Sequence, residues 1–351
     1  MPHASWIAFL NQQDAPQNPE SLSAPATERH DGSTLLIALT QQSLISLDGP
    51  DAEKFLQGQL TCDINALSPE QSLLGANCTH KGMVISVSRL FQRAAGHILM
   101  RLPLSVAETA MANLKKFAVF SKVAIELADE TWVGMGLLGE SAVESLKQLD
   151  INPPTNTNQQ WLSDELIVVR VPGNLPRFEL WCPESKARQL WLELARQSQV
   201  GNYQAWQAAE IEAGLVQLQP QSLDSYIPQM LNLQAVNAIG FSKGCYTGQE
   251  VVARLQFRGK LKKLLYAATV NTVDLNQPVS PETSLFNSSG RNVGKVLDCV
   301  VQQQHLLLQA IIGKAAADAN DLHLFSADGP AISLLPLPYS IDAELFERPE
   351  R

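Results

Sequence analysis

The sequence predicts an α+β protein of packed layers ending in a small β-barrel, and three observations carry that reading. Between Leu35 and Leu194, strand-like apolar runs and stretches of helical periodicity follow one another along the chain. Past Gly259 the helical periodicity stops and short apolar runs recur between turn residues. The 351 residues suffice for two or three domains, and 45% hydrophobic with 17% charged residues is a balance that folds.

Residues 11–30, NQQDAPQNPESLSAPATERH, are rich in Asn, Gln, Pro and Ser and nearly free of large apolar side chains. They cannot offset the entropy of ordering, so residues 1–30 are expected to form a flexible polar tail. From Leu35 a strand-like run leads to Gly49-Pro50, which opens a helix with Ala52, Phe55, Leu56 and Leu60 on one face. Two strands over 83–91 and 97–102 join across Ala94-Ala95-Gly96. A helix follows with Leu104, Ala107, Met111, Leu114 and Phe117 in phase, then a strand with Val123, Ile125 and Leu127. A second set comprises a strand at 132–138, a helix at 141–149, a strand at 166–171 and a helix aligning Ala187, Leu190, Trp191 and Leu194. Apolar runs at 264–270, 293–297, 306–312 and 322–325 make the terminal barrel.

Composition narrows the function. No apolar run reaches the roughly 18 to 20 residues that span a bilayer, so a cytoplasmic protein with no membrane partner is expected. The five cysteines form no CxxC pair, the histidines show no i, i+3 or i, i+4 pair, and no metal site is read. A net charge of −9 argues against nucleic acid coating the whole surface, while leaving room for a local basic patch.

The densest chemistry lies in Lys243-Gly244-Cys245-Tyr246-Thr247-Gly248-Gln249-Glu250. Thr247 with Glu250 reads as a capping box, and Val251, Val252 and Leu255 supply the apolar face of the helix beyond. Residues 243–246 would then enter a helix N-terminus, whose partial positive charge favours an anionic ligand and a lowered thiol pKa. A plain alternative stays open: the glycines make a turn, Glu250 caps, and Cys245 packs as a small hydrophobe. Residues 251–263 carry Arg254, Arg258, Lys260, Lys262 and Lys263 with no acid. This cationic rim suits an anionic ligand bearing carboxylates or phosphates, or it is a solvated face.

KGCYTGQE resembles the KxCYxGQE signature of the YgfZ family of folate-binding proteins, itself similar to the aminomethyltransferase T-protein of glycine cleavage. The resemblance extends over LDGPDAEKFLQGQLTCDI, LKKFAVFSKVAIEL, IPQMLNLQAVNAIGFSKGCYTGQEVVARLQFRGK and LPLPYS. It implies a T-protein-like arrangement of three domains around a central channel: 31–130 with 200–258 as a folate-binding α+β domain, 131–199 as a second α+β domain, and 259–345 as a C-terminal β-barrel. It also implies tetrahydrofolate or a derivative as cofactor, held by Trp206, Lys243, Gly244, Tyr246, Gly248, Gln249, Glu250, Arg254 and Arg258, with Cys245 as candidate nucleophile. Trp206 matches a tryptophan that lines the family's pocket; on periodicity alone it would pack with Ala209 and Ala213.

Two departures qualify the transfer. A second pocket tryptophan of the family corresponds here to Gln42. The aspartates that follow a Gly-Gly turn in the T-protein have no counterpart in KGMVIS, and residues 71–107 contain no Asp or Glu. The function the resemblance implies is a folate-binding accessory protein supporting iron-sulfur enzymes, such as those that thiolate tRNA, and through them tRNA modification. A folate-dependent one-carbon (aminomethyl) transferase and a cofactor-independent tRNA-binding protein are the alternatives, and whether the chain is an enzyme stays open.

Overall fold

The computed structural model describes residues 4–15, 25–30, 32–128, 131–258 and 261–341, the side chains of residues 257 and 258 excepted. The chain divides into two compact units. One comprises Met1–Phe55, Ile64–Leu73 and Ser88–Ala209; the other comprises Leu56–Asp63, Leu74–Val87 and Glu210–Arg351. The α+β class holds in both.

In the first unit a six-stranded sheet runs in the order Gln199–Gly201, Leu35–Ala38, Trp132–Leu138, Arg177–Pro183, Ile167–Arg170, Gln160–Leu162. Its described pairs are antiparallel except Leu35–Ala38 with Gln199–Gly201. Alternation along Trp132–Leu138 sorts two environments. Val133, Met135 and Leu137 enter a core with Ala187, Leu190, Trp191 and Leu194 of the helix Glu184–Ala195, the face that periodicity predicts. Gly134 and Gly136 point the other way: a Cβ on either would come within 2.6 Å of the Trp181 or Trp206 indole. These glycines let two large rings lie flush on the backbone.

Elsewhere in this unit Gln42–Asp48 pairs with His97–Pro103 on one side and Ala124–Leu127 on the other. The helix Leu104–Phe117 buries Val106, Ala107, Ala110 and Leu114. The predicted face is thus rotated, and Phe117, at the last helical position, is 49% exposed.

The expected tail is corrected at its start. Ala4–Gln12 is a helix whose Trp6, Phe9 and Leu10 are buried in the first unit's core. Trp6 stacks on Phe9 at 5.3 Å and meets Trp191 edge-on at 5.8 Å. Three large apolar side chains in one helical turn outweigh the polar residues that follow. Residues 16–24, the centre of that expected tail, lie outside the described residues.

In the second unit a six-stranded antiparallel sheet runs in the order His323–Leu324, Ser284–Phe286, Asn292–Gln302, His305–Gly313, Lys263–Asn271, Ser333–Leu335. Among the described residues it is a half-barrel, with a lone His323↔Ala331 bridge near its two edges. The helical pattern does not end at Gly259 as expected: Lys314–Asp318 forms a short helix. A core beside this sheet gathers Ala76, Cys78, Val84 and Val252 with Leu265, Leu297 and Ile311.

Truncating Trp6 to alanine removes a ring 1% exposed and should destabilise the first unit by about 3 to 5 kcal/mol. Urea unfolding followed by far-UV circular dichroism checks this; an unchanged midpoint would return the helix to the status of a tail.

Candidate functional site

The motif loop, residues 243–250, is built onto the short segment Gln57 to Asp63 by backbone hydrogen bonds. Thr61 is the knot. Its N–H donates to the Ala76 carbonyl and its carbonyl accepts from the Gly240 N–H, at 2.9 and 2.8 Å. Its hydroxyl donates to the Ala238 carbonyl at 2.6 Å and accepts from the Ala76 N–H at 2.9 Å. Three stretches far apart in sequence are thereby joined before the motif begins.

Lys243 then locks the loop. Its side chain, 8% exposed, turns inward, and Nζ donates to the carbonyls of Leu60 and Cys62 at 2.7 and 2.6 Å. It also lies 5.0 Å from the Tyr246 ring centroid, a cation–π distance. Burial lowers its pKa to about 8, with the Asp63 carboxylate pulling the other way. Tyr246 is buried, and burial raises its phenol. At the far end of the loop the Thr247 N–H donates to the Gly58 carbonyl at 3.1 Å.

The two glycines have different reasons. Gly248 has φ +85° and Gly82, in the turn at 79–83, has φ +73°. A Cβ on Gly248 would stand 2.6 Å from the Thr79 carbonyl oxygen and 2.9 Å from Gly82 Cα. The turn and the motif loop therefore touch backbone to backbone, which only glycine permits. A Cβ on Gly244 would meet nothing within 4 Å.

The capping box is corrected. The helix is Gln249–Arg258, and Val252 N–H bonds back to Gly248, so Gly248 stands at the N-cap. The Thr247 hydroxyl donates to Gln59 Oε1 at 3.4 Å instead. A tight backbone approach at Gly248 has taken the cap position from Thr247. The Lys243 ammonium, two residues before Cys245, is committed to two carbonyls and a ring. Cys245 nevertheless stands apart: it is exposed, whereas Cys62, Cys78, Cys182 and Cys299 are buried. Burial pushes each of those four thiols up to about 12.

Of the remaining predicted residues, Gln249 is half-buried and Glu250 and Arg254 are exposed on the helix. The side chain of Arg258 lies outside the described residues, as does Lys260; Lys262 and Lys263 are exposed. Trp206 belongs to the first unit, is fully buried against Gly136, and has the Arg177 guanidinium 4.6 Å from its ring centroid. Gln42 is buried there too, donating to the Tyr203 hydroxyl at 2.6 Å and accepting from Arg101 at 3.3 Å.

Sequence reasoning missed two features of the second unit. Gln234 is 7% exposed, and its carboxamide oxygen and nitrogen both lack a hydrogen-bond partner among the described residues. Asp224, in the left-handed region at φ +54°, accepts from the Thr79 hydroxyl at 3.4 Å and so brings a carboxylate to a turn that has none of its own. Gln234 sits inside the long stretch that carries the family resemblance, which was a usable signal; Asp224 had none.

Two outcomes follow from this geometry. Gly248→Ala should cost about 2 kcal/mol or more, whereas Gly244→Ala should stay within about 0.5 kcal/mol of the parent, both read from urea midpoints; equal costs would refute the distinction. For Lys243, the folded pKa of about 8 lies below its ordinary 10.5. Between those values the unfolded chain holds a proton the folded chain has shed, so this group's contribution to stability rises with pH. The stability of wild type relative to Lys243→Met should therefore climb from about pH 8 to 10.5; a flat difference contradicts the buried amine.

No protein-family model matches the chain. It is 34% identical over 314 residues to the tRNA-modifying protein YgfZ of Colwellia psychrerythraea, covering 89% of this chain and 95% of the relative. Its fold is similar to that of the glycine cleavage system aminomethyltransferase T of Bartonella henselae, with a TM-score of 0.73 at 17% identity over 95% of this chain and 96% of the other. The second likeness establishes the fold alone. The first, extending over nearly the full length of both proteins at that identity, establishes descent: this chain belongs to the YgfZ family.

Proposed function

We propose that the protein is a cytoplasmic tetrahydrofolate-binding accessory protein that supports iron-sulfur enzymes and, through them, tRNA modification. The observation that carries this reading is the motif loop itself. Lys243 and Gly248 are consumed in fixing it, while Gly244 has open space where a Cβ would stand and Cys245 is exposed. Such a loop is organised in advance for something outside the chain.

Folate fits the donors present. A pterin ring offers adjacent hydrogen-bond donors and acceptors, and Gln234 is a buried carboxamide with one of each unpaired. In this reading Gln234, Gly244, Tyr246, Gln249 and Glu250 hold the heterocycle, and Arg254 and Arg258 meet the glutamate carboxylates. Tetrahydrofolate supplies a one-carbon acceptor when bound. The chain's own part is to bind and orient it and to offer the Cys245 thiol. Trp206 is a separate proposal within the first unit: a folate ring stacking there would take the place of the Arg177 guanidinium.

The aminomethyltransferase reading ranks second, on the strength of Asp224, an exposed carboxylate at the turn where residues 71–107 supply none. A general acid or base there would have to come from this residue.

Calorimetry with tetrahydrofolate tests the leading reading. Wild type should bind with a defined stoichiometry. Gln234→Leu should bind at least about tenfold more weakly at unchanged or higher stability, because an unpaired buried amide costs the free protein. Cys245 should be alkylated faster than the four buried thiols and be slowed by bound folate, and Cys245→Ser should fail to support iron-sulfur enzymes in cells. Equal affinity of Gln234→Leu removes it from the site, and full activity of Cys245→Ser reduces the thiol to a bystander.

A further inference from the structure

The described residues include five exposed large hydrophobic side chains, and three of them fall within four positions: Phe117 at 49%, Val119 at 74% and Phe120 at 100% exposure. They occupy the reversal between the helix Leu104–Phe117 and the strand Ala124–Leu127. Lys115 and Lys116 precede them in the last helical turn and Lys122 follows, all exposed. Residues 109–125 contain no acidic residue, and none of these lysines is in an ion pair among the described residues. On a chain of net charge −9 this is a compact cationic and aromatic surface.

The reversal is held in shape. The Lys122 N–H donates to Asp51 Oδ2 at 2.7 Å, and the Asp51 N–H returns to the Lys122 carbonyl at 3.4 Å. Ser121 N–H closes a turn on the Ala118 carbonyl at 2.9 Å. Phe120 is thus presented by a pinned turn, at the cost of leaving a whole ring in water.

We infer that this turn is a contact surface for RNA with unpaired bases, such as the loops of a tRNA. Phe117 and Phe120 offer planar faces on which bases stack, and Lys115, Lys116 and Lys122 offer cations to the phosphates between them. Charge decides the class of partner: three lysines against the single Asp51 carboxylate, which is taken up by the Lys122 N–H, leave a net positive surface that suits a polyanion, and two aromatic rings set among them suit one whose exposed groups are flat heterocycles. The surface lies in the first unit, away in sequence from the cationic rim at 251–263 that sequence analysis put forward for carboxylates or phosphates. The inference rests on the tRNA-related part of the proposed function.

The test uses the full chain and filter retention of unmodified tRNA. Wild type should retain tRNA and prefer it to a blunt RNA duplex of equal length. Phe117→Ser with Phe120→Ser should weaken retention at least about tenfold. Lys115→Gln, Lys116→Gln and Lys122→Gln together should flatten the dependence of log Kd on log salt by about two. The phenylalanine and lysine variants should keep the wild-type melting temperature and tetrahydrofolate affinity, and Lys262→Gln with Lys263→Gln, in the cationic rim, should retain tRNA normally. Equal retention by the phenylalanine variant, equal affinity for the duplex, or no retention by wild type would each overturn the inference. So would sedimentation of wild type, but not the phenylalanine variant, with phosphatidylglycerol vesicles in place of tRNA retention. The wider reading is scored separately, by thiolated-tRNA levels in cells carrying Cys245→Ser.

Discussion

One buried ammonium organises the second unit. Lys243 spends its charge on the carbonyls of Leu60 and Cys62, groups that are otherwise only a strand-like segment passing under the loop. A lysine so placed acts as a strut rather than as a reagent. Its long stem crosses the gap between two chain segments, and its hydrogen bonds fix the height of the loop above the platform. Gly248 and Gly82 set the same loop's lateral position by touching backbone to backbone. With height and position both fixed, Cys245 is held exposed on the loop.

The first unit solves a different problem, that of keeping a carboxylate dry. Glu179 is wholly buried, which pushes its carboxyl up. The Arg101 and Arg89 guanidiniums, with hydrogen bonds from Arg101 and the Trp181 indole, outweigh this and hold it below the ordinary carboxylate range. Arg89 is itself anchored on Asn158 and Ser72 at 2.7 and 3.2 Å. Gln42 joins the same network through Arg101. A residue read from sequence as a missing pocket wall therefore has a definite structural task, since removing one member of such a buried set strands the charge of another.

What could be read in advance follows from the range of the interactions involved. The hairpin of Val84–Ala94 and His97–Pro103 was legible because Ala94-Ala95-Gly96 is a turn in itself, and the helix Glu184–Ala195 because its apolar spacing is local. The motif's location was legible too, from its density of reactive side chains. Its mechanics were not: the partners of Lys243 are main-chain carbonyls about 180 positions away, and a carbonyl has no letter in a sequence. Gly244 and Gly248 look alike in the string, yet only a neighbouring backbone distinguishes them. Periodicity put Phe117 on the buried face because it presumes that a helix continues, whereas this one stops there. The polar run after Gln12 likewise masked the helix Ala4–Gln12, whose partners lie on a helix starting at Glu184.

The placement of the indoles has an experimental corollary. All six tryptophans, Trp6, Trp132, Trp161, Trp181, Trp191 and Trp206, belong to the first unit. The second unit, which carries the motif loop, contains tyrosines but no tryptophan. Intrinsic indole emission is therefore a private signal of one half of the molecule, blind to local melting around Lys243. A dye on the one exposed cysteine, Cys245, would give the other half its own voice, and the two emissions together would tell whether the units unfold in concert or in turn.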